Sequence, residues 1–362
     1  MFHKLAQSLH KFWPEAEIHL WGFGNVREEK EEALFFKKSV YAKSRRHPAR
    51  LGAPYRVKKL LRQTRPQLLI VTTWELLGVG IWARKKLGLR LIYDVQENYR
   101  ANLQYGTAYP VWLRPLLVKM LTSIEKKAQP YINYYFLAEA CYRKEMPEKV
   151  PAILLENKVR ENAFSSLSPP TLRTFAEPCF LLCGTLAPDY GLFKALEALA
   201  RLATHLPKLR VDLVGFAPQK WVRRKVRQWA AQHLYVNIVG LNAPVAHATI
   251  LNAMQKCDFL LLPYLIHPGV AHRIPTKLFE GLAIQVPMLI QQNPYWQGYL
   301  EEKGYETAFF LDFSQPESLV QQWPAIQHFD FKKQTPAPAS VFWESQEPLL
   351  AQVMHQFWQK PA

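Results

Sequence analysis

The sequence predicts an α/β protein made of two doubly wound parallel-sheet units in tandem, and three observations predict it. Short β-rich runs alternate with helical stretches along most of the chain. Several of those runs are apolar on both faces, the pattern of strands held between helix layers. The alternation halts at residues 157–178, where periodicity vanishes and Ser165, Ser166, Ser168, Pro169 and Pro170 crowd together as a linker would. A chain of 362 residues that is 49% hydrophobic can fill two cores and is too apolar to be disordered. The expected division is a first unit over 1–165, a second over 166–340, and a C-terminal helix over 341–362 that can pack back on the first.

In the first unit the strand candidates are residues 17–23, 34–40, 67–72, 90–95, 132–137 and 152–156. The second unit opens with a strand at 179–183 and a helix at 192–204, followed by a strand at 210–214 and a basic helix at 221–232. It continues with a strand at 236–239, a helix at 245–256, a strand at 259–262, a helix at 276–283 and a strand at 286–290. Pro348 suits a first helical turn, and Leu349, Leu350, Val353, Met354, Phe357 and Trp358 recur at helical spacing behind it, so 348–360 reads as an amphipathic helix. No internal repeat is visible.

No apolar run reaches the roughly 20 residues that a membrane-spanning helix needs. Residues 1–13 carry charge and aromatic side chains and lack the apolar core of a secretory signal. Cys141, Cys179, Cys183 and Cys257 form no zinc-like pair of CxxC units and read as free thiols, so a cytoplasmic setting is expected. The net charge is +17, and +14 of it falls in residues 1–165. Residues 33–74 contain Lys37, Lys38, Lys43, Arg45, Arg46, Arg50, Arg56, Lys58, Lys59, Arg62 and Arg65 and no carboxylate. Such a block can be a solvated face, an anionic lipid surface or a nucleic-acid surface. The last is disfavoured, because no interleaved aromatic stacking platform and no DNA-binding motif accompanies it.

The most specific text is Arg273-Ile274-Pro275-Thr276-Lys277-Leu278-Phe279-Glu280-Gly281-Leu282-Ala283, followed by Val286-Pro287-Met288-Leu289-Ile290. Pro275 and Thr276 supply a helix start, whose free N–H groups and positive dipole end favour a diphosphate. Lys277 and Glu280 are i, i+3 neighbours on one face, while Leu278, Phe279 and Leu282 point toward a core. A solvated Lys–Glu pair on an amphipathic helix has the same spacing. Around this run stand Leu182-Cys183-Gly184-Thr185-Leu186, Val211-Asp212-Leu213-Val214-Gly215, Asn237-Ile238-Val239-Gly240 and Cys257-Asp258-Phe259-Leu260-Leu261-Leu262-Pro263-Tyr264. Together they resemble the donor-binding half of glycosyltransferase family 4, also called group 1, and of the GT-B fold generally. In the first half, Leu91-Ile92-Tyr93-Asp94-Val95-Gln96-Glu97-Asn98-Tyr99 resembles the strand and loop that carry the acceptor-side residues of that family.

The resemblance implies a GT-B fold, two Rossmann-like domains facing a cleft, and transfer of a sugar from a UDP- or GDP-linked donor to a saccharide or lipid-linked acceptor. It implies that Glu280 accepts from ribose hydroxyls, that Lys277 and Arg273 meet the diphosphate, and that Gly184, Thr185 and Gly240 line the donor site. Gln96, Glu97 and His272 are the catalytic candidates, with Asp94 and Asn98 on the acceptor side. No cofactor is expected beyond the nucleotide sugar, and no metal, since the sequence has no Asp-x-Asp. The expected setting is the cytoplasmic face of a membrane, with the basic first unit on anionic lipid and the product a cell-surface polysaccharide or glycolipid.

Four departures from the family pattern bear on catalysis. The acidic partner expected eight positions before Glu280 is His272, the lysine expected before Gly191 is Tyr190, and the usual acceptor-side histidine is Gln96. Glutamine cannot act as a general base but can position a hydroxyl. The first domain of this fold opens with a central strand and a glycine turn, yet residues 1–9 read as an amphipathic helix with Leu5, Ser8, Leu9 and Phe12 on one side. Either the true start lies upstream of Met1 or the domain has lost this strand; if it is lost, strands 17–23 and 67–72 should either flank a vacant slot or pair directly. A non-catalytic relative that binds nucleotide, or serves as a scaffold, is the alternative these departures leave open.

Overall fold

Consecutive side chains from Leu91 to Val95 are buried, and a strand without a polar face must be covered by helices on both sides. The computed structural model describes residues 2–23, 35–41, 51–105, 109–145, 150–165, 167, 175–331 and 337–359. They divide into two units, Met1–Asn157 with Trp343–Ala362, and Lys158–Phe342. The change of unit at Asn157 precedes the Ser/Pro-rich run, and the C-terminal helix belongs to the first unit.

The first unit begins with a π-helical turn, Phe2–Ala6, that runs into helix α1 (Gln7–Phe12). Strands β1 (Ile18–Phe23) and β2 (Phe35–Tyr41) form a parallel pair in register from Ile18 with Phe35. After α2 (Ala53–Thr64) come β3 (Leu68–Val71), α3 (Leu77–Leu87), β4 (Arg90–Val95), α4 (Tyr99–Tyr105), α5 (Arg114–Ala128), β5 (Tyr134–Leu137) and β6 (Ala152–Leu154). Strands β3 to β6 make a parallel sheet in chain order. Leu91, Tyr93 and Val95 face one core with Leu77 of α3 and Ala128 of α5, while Ile92 faces another with Phe136, Ile153 and Leu5. This two-residue alternation is what a strand between two layers requires.

Among the described residues β1 pairs with β2 and not with β3, so the direct pairing of 17–23 with 67–72 is not found and the strands lie in two separate sheets. Of the carboxylate-free block, residues 33–34 and 42–50 lie outside the described residues. Its described part is β2, α2 and β3 with the turns beside them, and on α2 Arg56, Lys59 and Arg62 are exposed. The guanidinium of Arg62 and the ammonium of Lys58 both lie over the ring of Trp82 on α3.

The C-terminal helix, Glu347–Gln359, packs Leu350, Val353 and Met354 against Ile92 and Phe136. A buried polar knot fixes it to α1. Ser8 Oγ donates to Glu347 Oε1 (2.7 Å), Lys11 Nζ to Glu347 Oε2 (2.7 Å), and Trp343 Nε1 to Ser8 Oγ (2.8 Å).

The second unit contains β7 (Cys179–Thr185), α6 (Leu192–Ala203), β8 (Arg210–Phe216), α7 (Lys220–Gln232), β9 (Val236–Leu241), α8 (His247–Lys256) and β10 (Phe259–Leu262). It continues with α9 (Thr276–Ile284), β11 (Met288–Gln291), α10 (Pro294–Glu302), β12 (Ala308–Leu311) and α11 (Ser318–His328). The strands form one parallel sheet in the order β9, β8, β7, β10, β11, β12, the doubly wound order with its reversal between β7 and β10. Phe180, Leu182, Phe259 and Leu261 face α6 and α11, while Leu181, Leu260 and Leu262 face α8 and α9. Strand β11 starts at Met288, two residues later than the sequence suggests, because Pro287 has no N–H to give the ladder; its carbonyl accepts from Leu260 N at 2.9 Å. The sequence reading did not find α10, β12 and α11.

Candidate functional site

In a doubly wound sheet, ligands bind beyond the carboxyl ends of the strands at the point where strand order reverses. Here that edge is lined by glycine. Gly184, Gly215 and Gly240 sit in register across β7, β8 and β9. Gly184 and Gly240 have φ of +89° and +96°, a left-handed backbone that glycine adopts without strain. A Cβ on Gly215 would strike the carbonyl of Gly184. A Cβ on Gly184 would lie 2.9 Å from Cε of Lys277, so the bare backbone lets that side chain lie across the end of β7.

Helix α9 begins at Thr276 after Pro275, whose extended backbone makes the cap, and Leu278, Phe279 and Leu282 are buried beneath it. Its first turn places Lys277 Nζ on Glu280 Oε2, and His247 Nε2, from the first position of α8, lies 3.1 Å from Glu280 Oε1. Glu280 is buried, and burial alone would push its carboxyl up. The hydrogen bond with His247, followed by the charge and hydrogen bond of Lys277, outweighs burial and holds it below the usual carboxylate value. A carboxylate has about four lone-pair positions, so Glu280 can still accept from a pair of vicinal hydroxyls.

The loop between β10 and α9 is fixed at several points. Leu265 N donates to Asp189 O (3.2 Å), Asn293 Nδ2 to Ala271 O (2.9 Å), and Trp296 Nε1 to Arg273 O (2.7 Å). Gly191, at φ +74°, faces the Pro263 carbonyl so closely that a Cβ could not fit. Tyr190 lays its ring 5.2 Å from that of Tyr264, which in turn meets Trp296 edge-on at 5.5 Å.

The structure therefore brings together Gly184, Gly240, Lys277 and Glu280 around the carboxyl edge of one sheet, with Thr185 exposed at the end of β7. Arg273 is held ahead of the α9 start through its carbonyl, and the ring of His272 meets that of Tyr295 edge-on at 5.3 Å. Sequence reasoning missed His247 and Gly215. The signal for His247 is a titratable side chain opening the helix after β9, whose carboxyl end carries Gly240, which puts it on the same edge of the sheet.

In the first unit the corresponding edge carries the loop after β4. Asp94 is buried and burial pushes its carboxyl up to about 6, although the hydrogen bond from Gln96 Nε2 to its Oδ1 (2.6 Å) pulls the other way. That bond leaves the amide oxygen of Gln96, an exposed residue, as an acceptor. Asn98 acts as a cap, its Oδ1 accepting from Ala101 N at 2.7 Å, and Glu97 accepts from Asn102 Nδ2 at 2.8 Å. Among the described residues, no group of three or more His, Cys, Asp or Glu side chains is placed to hold a metal ion. No described helix is long and apolar enough to cross a membrane.

No family model and no curated protein matches the chain. Solved structures do match. Sucrose-phosphate synthase from Thermosynechococcus elongatus aligns over 97% of this chain and 91% of its own, at 14% identity and a TM-score of 0.71. The lipopolysaccharide outer core galactosyltransferase WaaB aligns over 98% and 95%, at 13% identity and a TM-score of 0.59. HepE from Anabaena, solved in complex with UDP-glucose, aligns over 89% and 86%, at 12% identity and a TM-score of 0.60. The chain thus has the GT-B fold of the glycosyltransferases among these neighbours, with a Rossmann-like parallel sheet in each of two units.

Proposed function

We propose that the protein is a glycosyltransferase that moves a sugar from a UDP- or GDP-linked donor to a saccharide or lipid-linked acceptor. One observation carries this reading: Lys277 and Glu280, on the first turn of α9, lie across a glycine-lined sheet edge at the strand-order reversal. Glu280 takes the ribose hydroxyls, while Lys277, Arg273 and the α9 start take the diphosphate. As the bond from the anomeric carbon to the diphosphate oxygen breaks, negative charge grows on the leaving group. A lysine and fixed N–H dipoles meet it without reorganisation. The leaving phosphate accepts the proton of the acceptor hydroxyl, which bonds to the anomeric carbon on the same face, giving retention without a metal ion. Gln96, steadied by Asp94, orients a hydroxyl through its amide oxygen. Glu97 takes a supporting role on the acceptor side and His272 one on the donor side. The setting is the inner face of a membrane, the basic first unit lies on anionic lipid, and the product is a cell-surface polysaccharide or glycolipid.

Calorimetric titration of UDP and GDP tests the donor site. Lys277→Ala should weaken binding of the preferred diphosphate by about 1.5–3 kcal/mol, the loss of a charge-assisted hydrogen bond, and weaken the nucleoside less. Equal affinities in wild type and variant would remove Lys277 from the site. A second reading, nucleotide binding without transfer, is favoured by Tyr190 and His272, which pack against Tyr264 and Tyr295. Tight nucleotide binding that depends on Lys277, with no turnover of any nucleotide sugar, would select it.

A further inference from the structure

Large apolar side chains seldom stand exposed in groups on a soluble unit, and the first unit has two such groups. At the start of α5, Val111, Trp112 and Leu116 are 72%, 79% and 63% exposed, and Met120 continues the row. Trp112, Leu116 and Met120 are four residues apart and share one face, while Leu121 and Ala128 of the same helix are buried. At the start of α2, Leu51 and Tyr55, again four apart, are 86% and 71% exposed.

Both groups lie at one edge of the unit. Helix α2 ends just before β3 and α5 just before β5, so each runs back along the parallel sheet and begins where the strands end, the edge that carries Asp94 and Gln96. Helix α3 packs against both, so all three belong to one layer. The charge around the groups is mainly positive, the exposed acids on this edge, among the described residues, being Glu75 at the start of α3 and Glu97 after β4. Residues 98–124 contain Arg100, Arg114 and Lys119 and no carboxylate, and α2 belongs to the carboxylate-free block. Glu125, the nearest acid on α5, is held by Arg100 Nε and Nη2 at 2.9 and 2.7 Å.

We propose that the first turns of α2 and α5 form a membrane-inserting edge, in which Leu51, Tyr55, Val111, Trp112, Leu116 and Met120 enter the headgroup boundary of an anionic bilayer while the flanking lysines and arginines meet its phosphates. Tryptophan and tyrosine at the tips suit that boundary, and an amphipathic helix lying in it needs an apolar face and a cationic rim. A second copy of the chain fits less well, because a two-fold contact would set the same cations against each other. The proposal extends the membrane contact suggested above from charge attraction to insertion and is independent of the transfer chemistry.

Sedimentation with vesicles of phosphatidylcholine, and of equal parts phosphatidylcholine and phosphatidylglycerol, tests it. Wild type should bind the anionic vesicles and retain part of that binding in high salt. The triple variant Trp112→Ser, Leu116→Ser, Met120→Ser should bind them roughly tenfold or more weakly, with the remainder lost in high salt. A separate measurement does not depend on that variant: brominated anionic lipid should quench wild-type tryptophan fluorescence, and Trp112→Phe should keep binding but lose much of the quench. Unchanged binding in the triple variant, or an unchanged quench in Trp112→Phe, overturns insertion. If Arg56→Glu with Lys59→Glu then abolishes binding, the charge-based membrane reading stands alone. No binding by wild type overturns both membrane readings and leaves the Lys277 titration to judge transfer separately. A wild-type dimer that the triple variant dissociates assigns the edge to a second copy and also overturns the proposal.

Discussion

Asp94 shows how one buried atom sets a pH dependence. Its carboxyl titrates at about 6 in the folded chain against 3.8 for an ordinary aspartate, because burial disfavours the charged form. The folded state therefore holds a proton over a range where the unfolded state has released it. Stability from this group is fully present below the unfolded value and is lost as pH rises through the folded one. Asp94→Asn keeps an acceptor for Gln96 and cannot ionise. Its stability relative to wild type should grow by about 1–3 kcal/mol between about pH 4 and about pH 7, as read by denaturant unfolding at each pH. A difference that does not change with pH would mean that the carboxyl is solvated. Glu280 runs the opposite way. Burial would raise it, but His247 and Lys277 hold it low, so its contribution to stability is present at neutral pH and disappears only as pH falls through the acidic range.

At the scale of the element, the buried contact of α1 with the C-terminal helix rests on the Ser8 hydroxyl, which donates to Glu347 and accepts from Trp343. Ser8→Ala would leave both partners short of a bond in a buried place and should destabilise the first unit by about 1–3 kcal/mol. In a Glu347→Gln background the same change should cost less, and a double-mutant cycle on the unfolding transition measures the difference. The amphipathic C-terminal helix was legible because Leu350, Val353 and Met354 repeat at helical spacing. The α9 start was legible for a similar reason, since Pro275 and Thr276 precede a clear apolar face. Elements α10, β12 and α11 were not. Helix α10 mixes Tyr295, Trp296 and Tyr299 with Gly298, and α11 has Pro324 inside it, so neither shows a regular stripe. What stops α10 from being a loop is tertiary: Asn293 caps it, accepting from Tyr295 N at 2.9 Å, while its amide donates to Ala271 O. His247 went unseen because its place at the start of α8 marks the sheet edge, whereas its contact with Glu280, 33 residues away, is made only by the tertiary fold.

At the scale of the whole molecule, the second unit is an insertion in the first. The chain leaves the first unit after Asn157 and returns to it at Trp343. The two ends of the second unit meet, since Val159 forms a parallel bridge with Phe342 and both are buried in its core. A chain of residues 158–342 should therefore fold cooperatively alone, because joining its ends costs no further loop closure. A single sharp unfolding transition checks this; a broad one would show that the second unit depends on the first. A chain of residues 1–342 should lack the cover that Leu350, Val353 and Met354 give to Ile92 and Phe136, and its amides in β4 and β5 should exchange faster than in the full chain.

That topology fixes an order of events during synthesis. The inserted unit has all its residues once Phe342 has left the ribosome, whereas the first unit waits for the helix Glu347–Gln359. The unit begun first is thus completed after the one inserted in it. During that interval Leu5, Ile92 and Phe136 lack the cover of the helix Glu347–Gln359, so the nascent chain offers an apolar face for as long as residues 343–359 take to emerge. A stop codon or stall within residues 343–359 would release a chain whose second unit is complete and whose first unit presents this uncovered face to chaperones and proteases.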